Sequence, residues 1–223
     1  MDFTLKSFYL VILALLSGSF FLVLPAQSAT VGKSLSNQSS LTSGLVGWWT
    51  FDGADVNATK VLDKSGNGNH GTRTGGVAMT SGKIGQAGKF DGSNDYVTLQ
   101  NPSSSGQTIT FWINRKTVGL SQFLFDDRVV GTNYLYFDGA GNLLTKQTGT
   151  LYVDGILANS ATPNSWHFIV LTGQTLKTSG SLVLGALNNG DANFFNGSID
   201  DVRIYNRVLS AQEIKQLYQQ GGG

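Results

Sequence analysis

From Leu45 onward, short runs of β-branched and aromatic residues are separated by clusters of Gly, Asn and Asp. Such spacing predicts an all-β sandwich or barrel, because each run has strand length and each cluster favours a turn. A single domain of this kind fits a chain of 223 residues. The predicted strands are 45–51, 95–99, 108–114, 121–126, 133–138, 150–154, 166–172, 181–186 and 198–206.

One helix is predicted after the last strand. Ser210 is suited to the N-cap position, and Glu213 stands three residues later, which is the spacing of a capping box. Ile214, Leu217 and Tyr218 then share one apolar face. We expect this helix to close an edge of the sandwich and to carry no chemistry.

The N-terminal residues predict export. Residues 8–24 are almost entirely apolar, and Ala26-Gln27-Ser28 supplies small residues at the −3 and −1 positions of a cleavage site. We therefore divide the chain into a signal peptide (1–28), a flexible polar linker (29–43) and one folded domain (44–223). The mature protein would then be secreted or held at the cell surface, with no membrane domain. The alternative is an uncleaved segment that tethers the domain to a membrane.

Composition narrows the possible partners. The chain has no cysteine, which excludes disulfides, thiolate zinc sites and cysteine nucleophiles. Its formal net charge is +1, with the 15 Lys and Arg residues scattered along the sequence. Nucleic acid is therefore not an expected partner, since phosphate binding requires a concentrated basic surface. The oligomeric state does not follow from the sequence.

Acidic and basic catalytic groups are scarce. Glu213 is the only glutamate, and it lies in the predicted capping box, whereas glycoside hydrolysis uses a pair of carboxylates. The two histidines, His70 and His167, are isolated in the sequence, and His167 lies in an apolar run that predicts an interior position. These observations predict a protein that is not an enzyme.

Sequence blocks at both ends of the domain identify a family. The blocks are Gly44–Gly53, Asp63–Gly71 and Phe195–Ser210, with looser support from Gly82–Gly92 and Asp95–Val97. In this order they resemble the LamG-like jelly-roll domain (laminin G type 3) of the concanavalin A-like lectin/glucanase superfamily. The resemblance covers roughly residues 44–220.

The resemblance implies a two-sheet antiparallel β-sandwich, a jelly roll, with one short C-terminal helix. It also implies an exported binding module, whose expected ligand is a carbohydrate or another cell-surface molecule. The alternatives are a structural or adhesive domain that contacts protein partners and, third, a glycosidase relative without catalytic residues.

A structural calcium ion is a further implication of the resemblance. The last-strand ligand in related proteins is the aspartate that Asp200 matches, and Asp52 is the counterpart at the first strand. A backbone carbonyl from the Gly-rich turn 82–88 would complete the oxygen ligands that calcium prefers. Asp201 stands where relatives have an aromatic residue, so either carboxylate of the pair is a candidate ligand. The alternative is that Asp52 and Asp200 cap turns or pair with Arg203.

Strand alternation predicts an aromatic ligand-binding face. Within residues 108–114, alternation directs Trp112 outward, and within 133–138 it directs Tyr134, Tyr136 and Asp138 outward. Tyr and Trp rings beside polar groups suit stacking on a sugar. The alternative is that loops cover this face and bury the rings.

Overall fold

The fold is a β-sandwich of two antiparallel sheets with one C-terminal α-helix, as predicted. The computed structural model describes residues 40–100, 107–127, 134–146, 149–173, 181–187 and 192–222. The strands of this part are β1 (Leu45–Trp49), β2 (Lys60–Val61), β3 (Gly71–Thr74), β4 (Ala78–Ser81), β5 (Gln86–Asp91), β6 (Tyr96–Gln100), β7 (Thr108–Arg115), β8 (Gln122–Asp126), β9 (Tyr134–Phe137), β10 (Leu143–Thr145), β11 (Thr150–Val153), β12 (Ile156–Leu157), β13 (His167–Thr172), β14 (Ser181–Leu184) and β15 (Asn196–Tyr205). A 3-10 helix covers Gly53–Asp55, and helix α1 covers Ala211–Gln220.

All nine predicted strands are present, each with bounds within two residues of the prediction. The strands that the sequence did not predict are mostly short and lie at sheet margins. The exception is β5, a six-residue strand whose sequence, Gln-Ala-Gly-Lys-Phe-Asp, lacks the β-branched residues on which strand prediction depends.

Strand β15 organises the larger sheet. That sheet has the order β12-β11-β13-β7-β15-β5-β4, and β1 pairs with β15 outside this path. One edge of β15 pairs with β7, while the other edge is shared between β5 (from residue 196 to 199) and β1 (from 202 to 205). The smaller sheet has the order β10-β9-β8-β14-β6-β3-β2.

The main core lies between the two sheets. Alternate residues of β7, which are Ile109, Phe111 and Ile113, point inward and join Trp49 and Phe137 in one fully buried apolar cluster. Their period of two is the signature of a strand with one face on the core. The prediction of inward residues in β7 is therefore confirmed.

A second apolar cluster lies on the outer side of the larger sheet, beneath α1. Ile214 and Leu217 of the helix pack there with Trp112 and Phe168. The helix thus covers part of a sheet face, and the expectation that it closes an edge was wrong. Strands β7 and β13 carry large apolar side chains on that outer face, and these require a cover.

The predicted capping box is confirmed. The Ser210 hydroxyl accepts a hydrogen bond from the Glu213 N–H at 3.3 Å, and the Glu213 carboxylate accepts one from the Ser210 N–H at 2.9 Å. Arg207 donates to the same carboxylate, with Nη2 2.7 Å from Oε1. The start of α1 is therefore fixed by both the cap and an ion pair.

Residues just before β1 also pack on the domain. Leu41 is buried in the cluster beneath α1, and Arg207 donates hydrogen bonds to the carbonyls of Ser40 and Ser43, both at 2.8 Å. Packing thus begins a few residues earlier than the predicted domain start at 44.

The predicted signal peptide and the first part of the predicted linker lie outside the described residues. Within the described part of the chain, no helix combines the length and the apolar character that crossing a bilayer requires.

Candidate functional site

The Asp200–Asp201 pair lies where the partner of β15 changes. Between Asp200 and Arg203 the pairing of β15 with β7 shifts register, and Asp201 has a φ of 47°. This bulge falls where β5 ends its pairing with β15 and β1 begins. A bulge redirects side chains, and here both carboxylates are buried.

Asp200 binds the turn between β4 and β5. Its Oδ2 accepts hydrogen bonds from the backbone N–H groups of Lys83 at 2.8 Å and Ile84 at 2.9 Å. Its Oδ1 is buried and has no hydrogen-bond partner among the described residues. Burial raises the pKa of Asp200 to about 7, and the two backbone hydrogen bonds oppose that rise only in part.

Asp52 binds the same turn from the chain segment after β1. Its Oδ1 accepts a hydrogen bond from the Gln86 N–H at 2.8 Å. A Cβ at Gly85 would lie 2.1 Å from this oxygen, and a Cβ at Gly82 would lie 2.6 Å from Oδ2 of Asp200. The glycines of this turn therefore leave space that the two carboxylates occupy.

Asp201 has different partners. Its Oδ1 accepts hydrogen bonds from Nε1 of Trp48 at 2.6 Å and from Nε of Arg203 at 3.2 Å, and Nη2 of Arg203 lies 3.0 Å from Oδ2. The Arg203 guanidinium also lies over the Trp48 ring, 4.7 Å from its centroid. Arg203 thus pairs with Asp201 rather than with Asp52 or Asp200, and both oxygens of Asp201 are engaged.

The three expected calcium ligands lie around one cavity. Asp52, Asp200 and Asp201 line one cavity of about 140 Å³. Among the described residues, no group of three or more His, Cys, Asp or Glu side chains is arranged to hold a metal ion. The buried, unpartnered Oδ1 of Asp200 fits a hard cation, provided that backbone carbonyls and water supply most of the six to eight oxygens that calcium requires.

Trp112 is not part of an exposed face. It points away from the main core as predicted, yet it is only 1% exposed. Its ring packs against Phe168 and Tyr218 at centroid distances of 5.1 and 5.6 Å, with the Lys83 ammonium 5.0 Å from the ring centroid. In addition, β7 and β9 belong to different sheets. The prediction that Trp112 acts with Tyr134 and Tyr136 in one platform was therefore wrong.

Tyr134 and Tyr136 lie on the outer face of the smaller sheet, where alternation placed them. Both are half-buried, and their ring centroids are 5.5 Å apart with an interplanar angle of 67°. Phe123 of β8 stacks on Tyr136 at 5.0 Å and 19°. Phe123 was not singled out from the sequence, although it lies in a predicted strand. These three rings, which we call the tyrosine cluster, pack against one another; Phe123 is buried, so the accessible aromatic surface is that of Tyr134 and Tyr136.

The smaller sheet continues from this cluster as a row of outward positions. Register pairs Tyr134 with Asp126, Asp126 with Val183, Val183 with Thr98 and Thr98 with Thr72. Asp126 and Val183 are buried, whereas Thr98 is half-buried and Thr72 is exposed. The accessible positions of this row are therefore Tyr134 at one side of the sheet and two threonines, Thr98 and Thr72, at the other.

Asp138 follows β9 and closes the turn to β10. Its carboxylate accepts hydrogen bonds from the Asn142 N–H at 2.8 Å and from the Asn142 side-chain amide at 2.9 Å. These bonds lower the pKa of Asp138. The expected position of Asp138 beside Trp112 is wrong, because β7 and β9 belong to different sheets.

His167 lies in a hydrogen-bonded chain that the sequence did not predict. Its Nδ1 is 2.7 Å from Oδ2 of Asp154, and its Nε2 is 2.9 Å from the hydroxyl of Thr162. Oδ1 of Asp154 accepts a hydrogen bond from the Phe168 N–H at 2.8 Å. The order of hydroxyl, imidazole and carboxylate resembles that of a catalytic triad. However, Thr162 is exposed on a loop and does not line the cavities of about 140, 260 and 520 Å³ in the described part of the protein. The chain of bonds therefore joins this loop to the β11–β12 hairpin.

The fold and the family comparison agree. The protein is a two-sheet jelly roll, and the family model Laminin_G_3 of the concanavalin A-like lectin/glucanases superfamily matches residues 143–215, about a third of the chain. The resemblance deduced from the sequence blocks is thus confirmed over residues 143–215. The chain matches none of the curated protein sequences with which it was compared.

Solved structures with the same fold come from several organisms. Domain 4 of AbnA, a GH43 extracellular arabinanase from Geobacillus stearothermophilus, solved in complex with arabinotriose, superposes with a TM-score of 0.58 at 19% identity, covering 79% of this chain and 99% of that one. The binding domain of Paraclostridial Mosquitocidal Protein 1 gives 0.56 at 18%, covering 81% and 53%. A mutant Trypanosoma rangeli sialidase displaying trans-sialidase activity gives 0.56 at 13%, covering 86% and 38%. The chain therefore spans about half or less of the latter two.

Proposed function

We propose that this protein is a non-catalytic binding module whose ligand is a carbohydrate of an extracellular surface. The tyrosine cluster carries the proposal. Tyr134 and Tyr136 keep part of their rings accessible, and Phe123 packs against them, which limits their freedom. A fixed aromatic surface with polar tips suits the apolar face and the hydroxyls of a pyranose.

The comparisons support a binding role without identifying the ligand. One structure with this fold is a domain in complex with arabinotriose, and another is the binding domain of a toxin. Their sequence identities to this chain are below 20%, so the sugar bound by this protein has to be determined directly.

The engagement of the acidic groups favours a non-catalytic role. Glu213 is bound by Arg207 and by the cap of α1. Asp201 is paired with Arg203, and Asp138 holds a turn. These three carboxylates are thus held by other groups of the protein, whereas hydrolysis of a glycosidic bond requires a pair that faces the substrate.

A glycan array followed by calorimetric titration tests the proposal. We expect a neutral glycan to bind, and we expect Tyr136→Ala to weaken binding about five- to tenfold, which corresponds to the loss of one aromatic stacking contact. Tyr136→Phe keeps the ring and should retain most of the affinity. Val208→Ala is the control, because Val208 is exposed near α1 and far along the chain from β9. Equal affinity for Tyr136→Ala and the control would contradict the proposal.

We also propose that a calcium ion binds between Asp52 and Asp200 and has a structural role. The support is the cavity that these carboxylates share and the buried Oδ1 of Asp200 that lacks a partner among the described residues. Such an ion would connect the segment after β1 to β15 and to the β4–β5 turn. Asp201 is not proposed as a ligand, since Arg203 and Trp48 engage its oxygens.

A second candidate function is adhesion to a protein partner. Val118 and Leu120 are 56% and 74% exposed, and together with Phe194 they line a cavity of about 520 Å³ at one end of the sandwich. Exposed apolar side chains around a concavity are typical of protein contacts. If Leu120→Asp abolishes adhesion of the protein to a cell surface while Tyr136→Ala does not, the adhesive function is the correct one. Both functions place the protein outside the cell, as the N-terminal sequence predicts.

A further inference from the structure

A third cavity lies on the outer face of the larger sheet, beside the residues covered by α1. Its volume is about 260 Å³, and its lining includes Lys89, Asn114, Lys116, Trp166 and Ser198. Register pairs Ser198 with Lys89 of β5 on one side and with Asn114 of β7 on the other. The floor of the cavity is thus a row of polar residues across three adjacent strands.

The charge of this cavity is positive. Lys89 and Lys116 are its only charged lining residues, and within the described ranges neither ammonium group has an ion-pair partner. Asp91 shares the outward face of β5, but its carboxylate accepts hydrogen bonds from the N–H groups of Ser93 and Asn94 in the following turn. Two lysines without a neutralising partner favour an anion.

An unsatisfied acceptor adds a second requirement. Oδ1 of Asn114 is buried and has no hydrogen-bond partner in the described part of the chain. A buried acceptor without a donor costs free energy, so the ligand is expected to supply a hydroxyl or N–H group. A simple inorganic anion would neutralise the lysines without satisfying Asn114.

Two further lining residues, Trp166 and Gly197, give the cavity an apolar wall and part of its open space. Trp166 is half-buried, packing partly against the cluster beneath α1 and partly lining the cavity. An indole with one accessible side offers an apolar surface to a sugar ring. Gly197 also lines the cavity, and a Cβ there would lie 2.3 Å from the carbonyl oxygen of Asn114. The packing therefore requires glycine at position 197.

We infer that this cavity binds one acidic sugar unit, with its anionic group at Lys89 and Lys116, a hydroxyl donating to Asn114 and its apolar face against Trp166. The site is separate from the tyrosine cluster, because it lies on the opposite sheet. It does not depend on the function proposed above.

Calorimetric titration of the purified full chain with three probes tests the inference: glucuronate, glucose and acetate. We expect saturable binding of glucuronate that weakens as salt is added, and no binding of glucose or acetate at the same concentration. Glucose 6-sulfate as a fourth probe distinguishes the source of the charge: binding equal to that of glucuronate indicates a general anionic sugar site, and weaker binding indicates a carboxylate site.

Matched lysine variants locate the site. Lys89→Gln should weaken glucuronate binding about tenfold, since it removes one charge-assisted hydrogen bond, while Lys89→Arg should largely preserve it. Lys60→Gln, at an exposed position on β2 of the other sheet, should have no effect. Tyr136→Ala should also have no effect, so that failure of this site and failure of the tyrosine cluster are distinguishable. Absence of glucuronate binding, equal binding of glucose, or equal losses in Lys89→Gln and Lys60→Gln would each overturn the inference.

Discussion

The indole of Trp112 stacks on the ring of Tyr218, with ring centroids 5.6 Å apart and an interplanar angle of 23°. This contact joins the outer face of β7 to α1. Next to it, a Cβ at Gly221 would lie 2.3 Å from the Trp112 ring, so the end of the helix lies close against the indole. Trp112 is thus part of the packing between helix and sheet.

Replacement of Trp112 should therefore destabilise the protein. We expect Trp112→Ala to lower the free energy of unfolding by about 3 to 5 kcal/mol, because it leaves a large cavity under α1. Denaturant unfolding measures the change, and Val208→Ala, at an exposed position, should stay within about 0.5 kcal/mol of the unmodified protein. A change for Trp112→Ala as small as that of the control would contradict the observed burial.

The Arg207–Glu213 pair should make stability depend on pH at the acidic end. The Arg207 hydrogen bond is the main cause that lowers the pKa of Glu213 to about 2. A lowered pKa contributes stability above the unfolded-state value near 4.5, and that contribution is lost as pH falls through about 2. Glu213→Gln retains a capping side chain and removes the charge, so we expect a loss of about 0.5 to 1 kcal/mol at pH 7. Chemical denaturation should show a smaller loss of unfolding free energy for Glu213→Gln at pH 2 than at pH 7. An equal loss at both pH values would show that the negative charge of Glu213 does not contribute to stability.

Calcium should stabilise the protein through Asp200. At a hundredfold excess over Kd, a bound ion contributes about 2.7 kcal/mol, so chelation should lower the melting temperature. Asp200→Asn should abolish the difference between calcium and chelator. Without metal, this variant should be at least as stable as the unmodified protein at pH 7, because burial already disfavours the Asp200 carboxylate.

Asp201→Asn provides the contrast to Asp200→Asn. It removes the charge that Arg203 pairs with inside the domain, so it should destabilise the protein with or without calcium. If chelation does not change the melting curve of the unmodified protein, the calcium proposal is wrong.

Export should leave a defined N-terminus. The apolar run followed by Ala26-Gln27-Ser28 predicts cleavage after Ser28 or, next, after Ala29. N-terminal sequencing of protein recovered outside the cell should therefore start at Ala29 or Thr30. Recovery of the full-length chain in the membrane fraction would instead indicate an uncleaved tether.

Alternation predicted the direction of side chains but not what covers them. It placed Trp112 and Tyr136 outward correctly, yet one is buried beneath α1 and the other is half-buried. The apolar face of α1, with Ile214 and Leu217, required a partner surface, and outward Trp112 and Phe168 required a cover. The two requirements together could have identified the contact from sequence.

Sheet membership and local bulges were beyond sequence reasoning. Nothing in residues 108–114 or 133–138 indicates that β7 and β9 lie in different sheets, because strand order depends on long-range pairing. The proximity of Asp52 and Asp200 to one turn was anticipated through the family resemblance, and both carboxylates do bind that turn. The bulge that separates the roles of Asp200 and Asp201 had no sequence signal.

The pairing of β1 with β15 determines how these two strands would separate under mechanical force. Leu45 pairs with Tyr205, so the first residue of β1 and the last residue of β15 lie side by side at the same end of two antiparallel strands. Tension across these two points would separate the strands one residue pair at a time, as a zipper opens, rather than shearing all their hydrogen bonds together. Arg207 bonds to Ser40 and Ser43 outside that first pair, so a force applied at residues 40 and 207 would load these bonds before the strands.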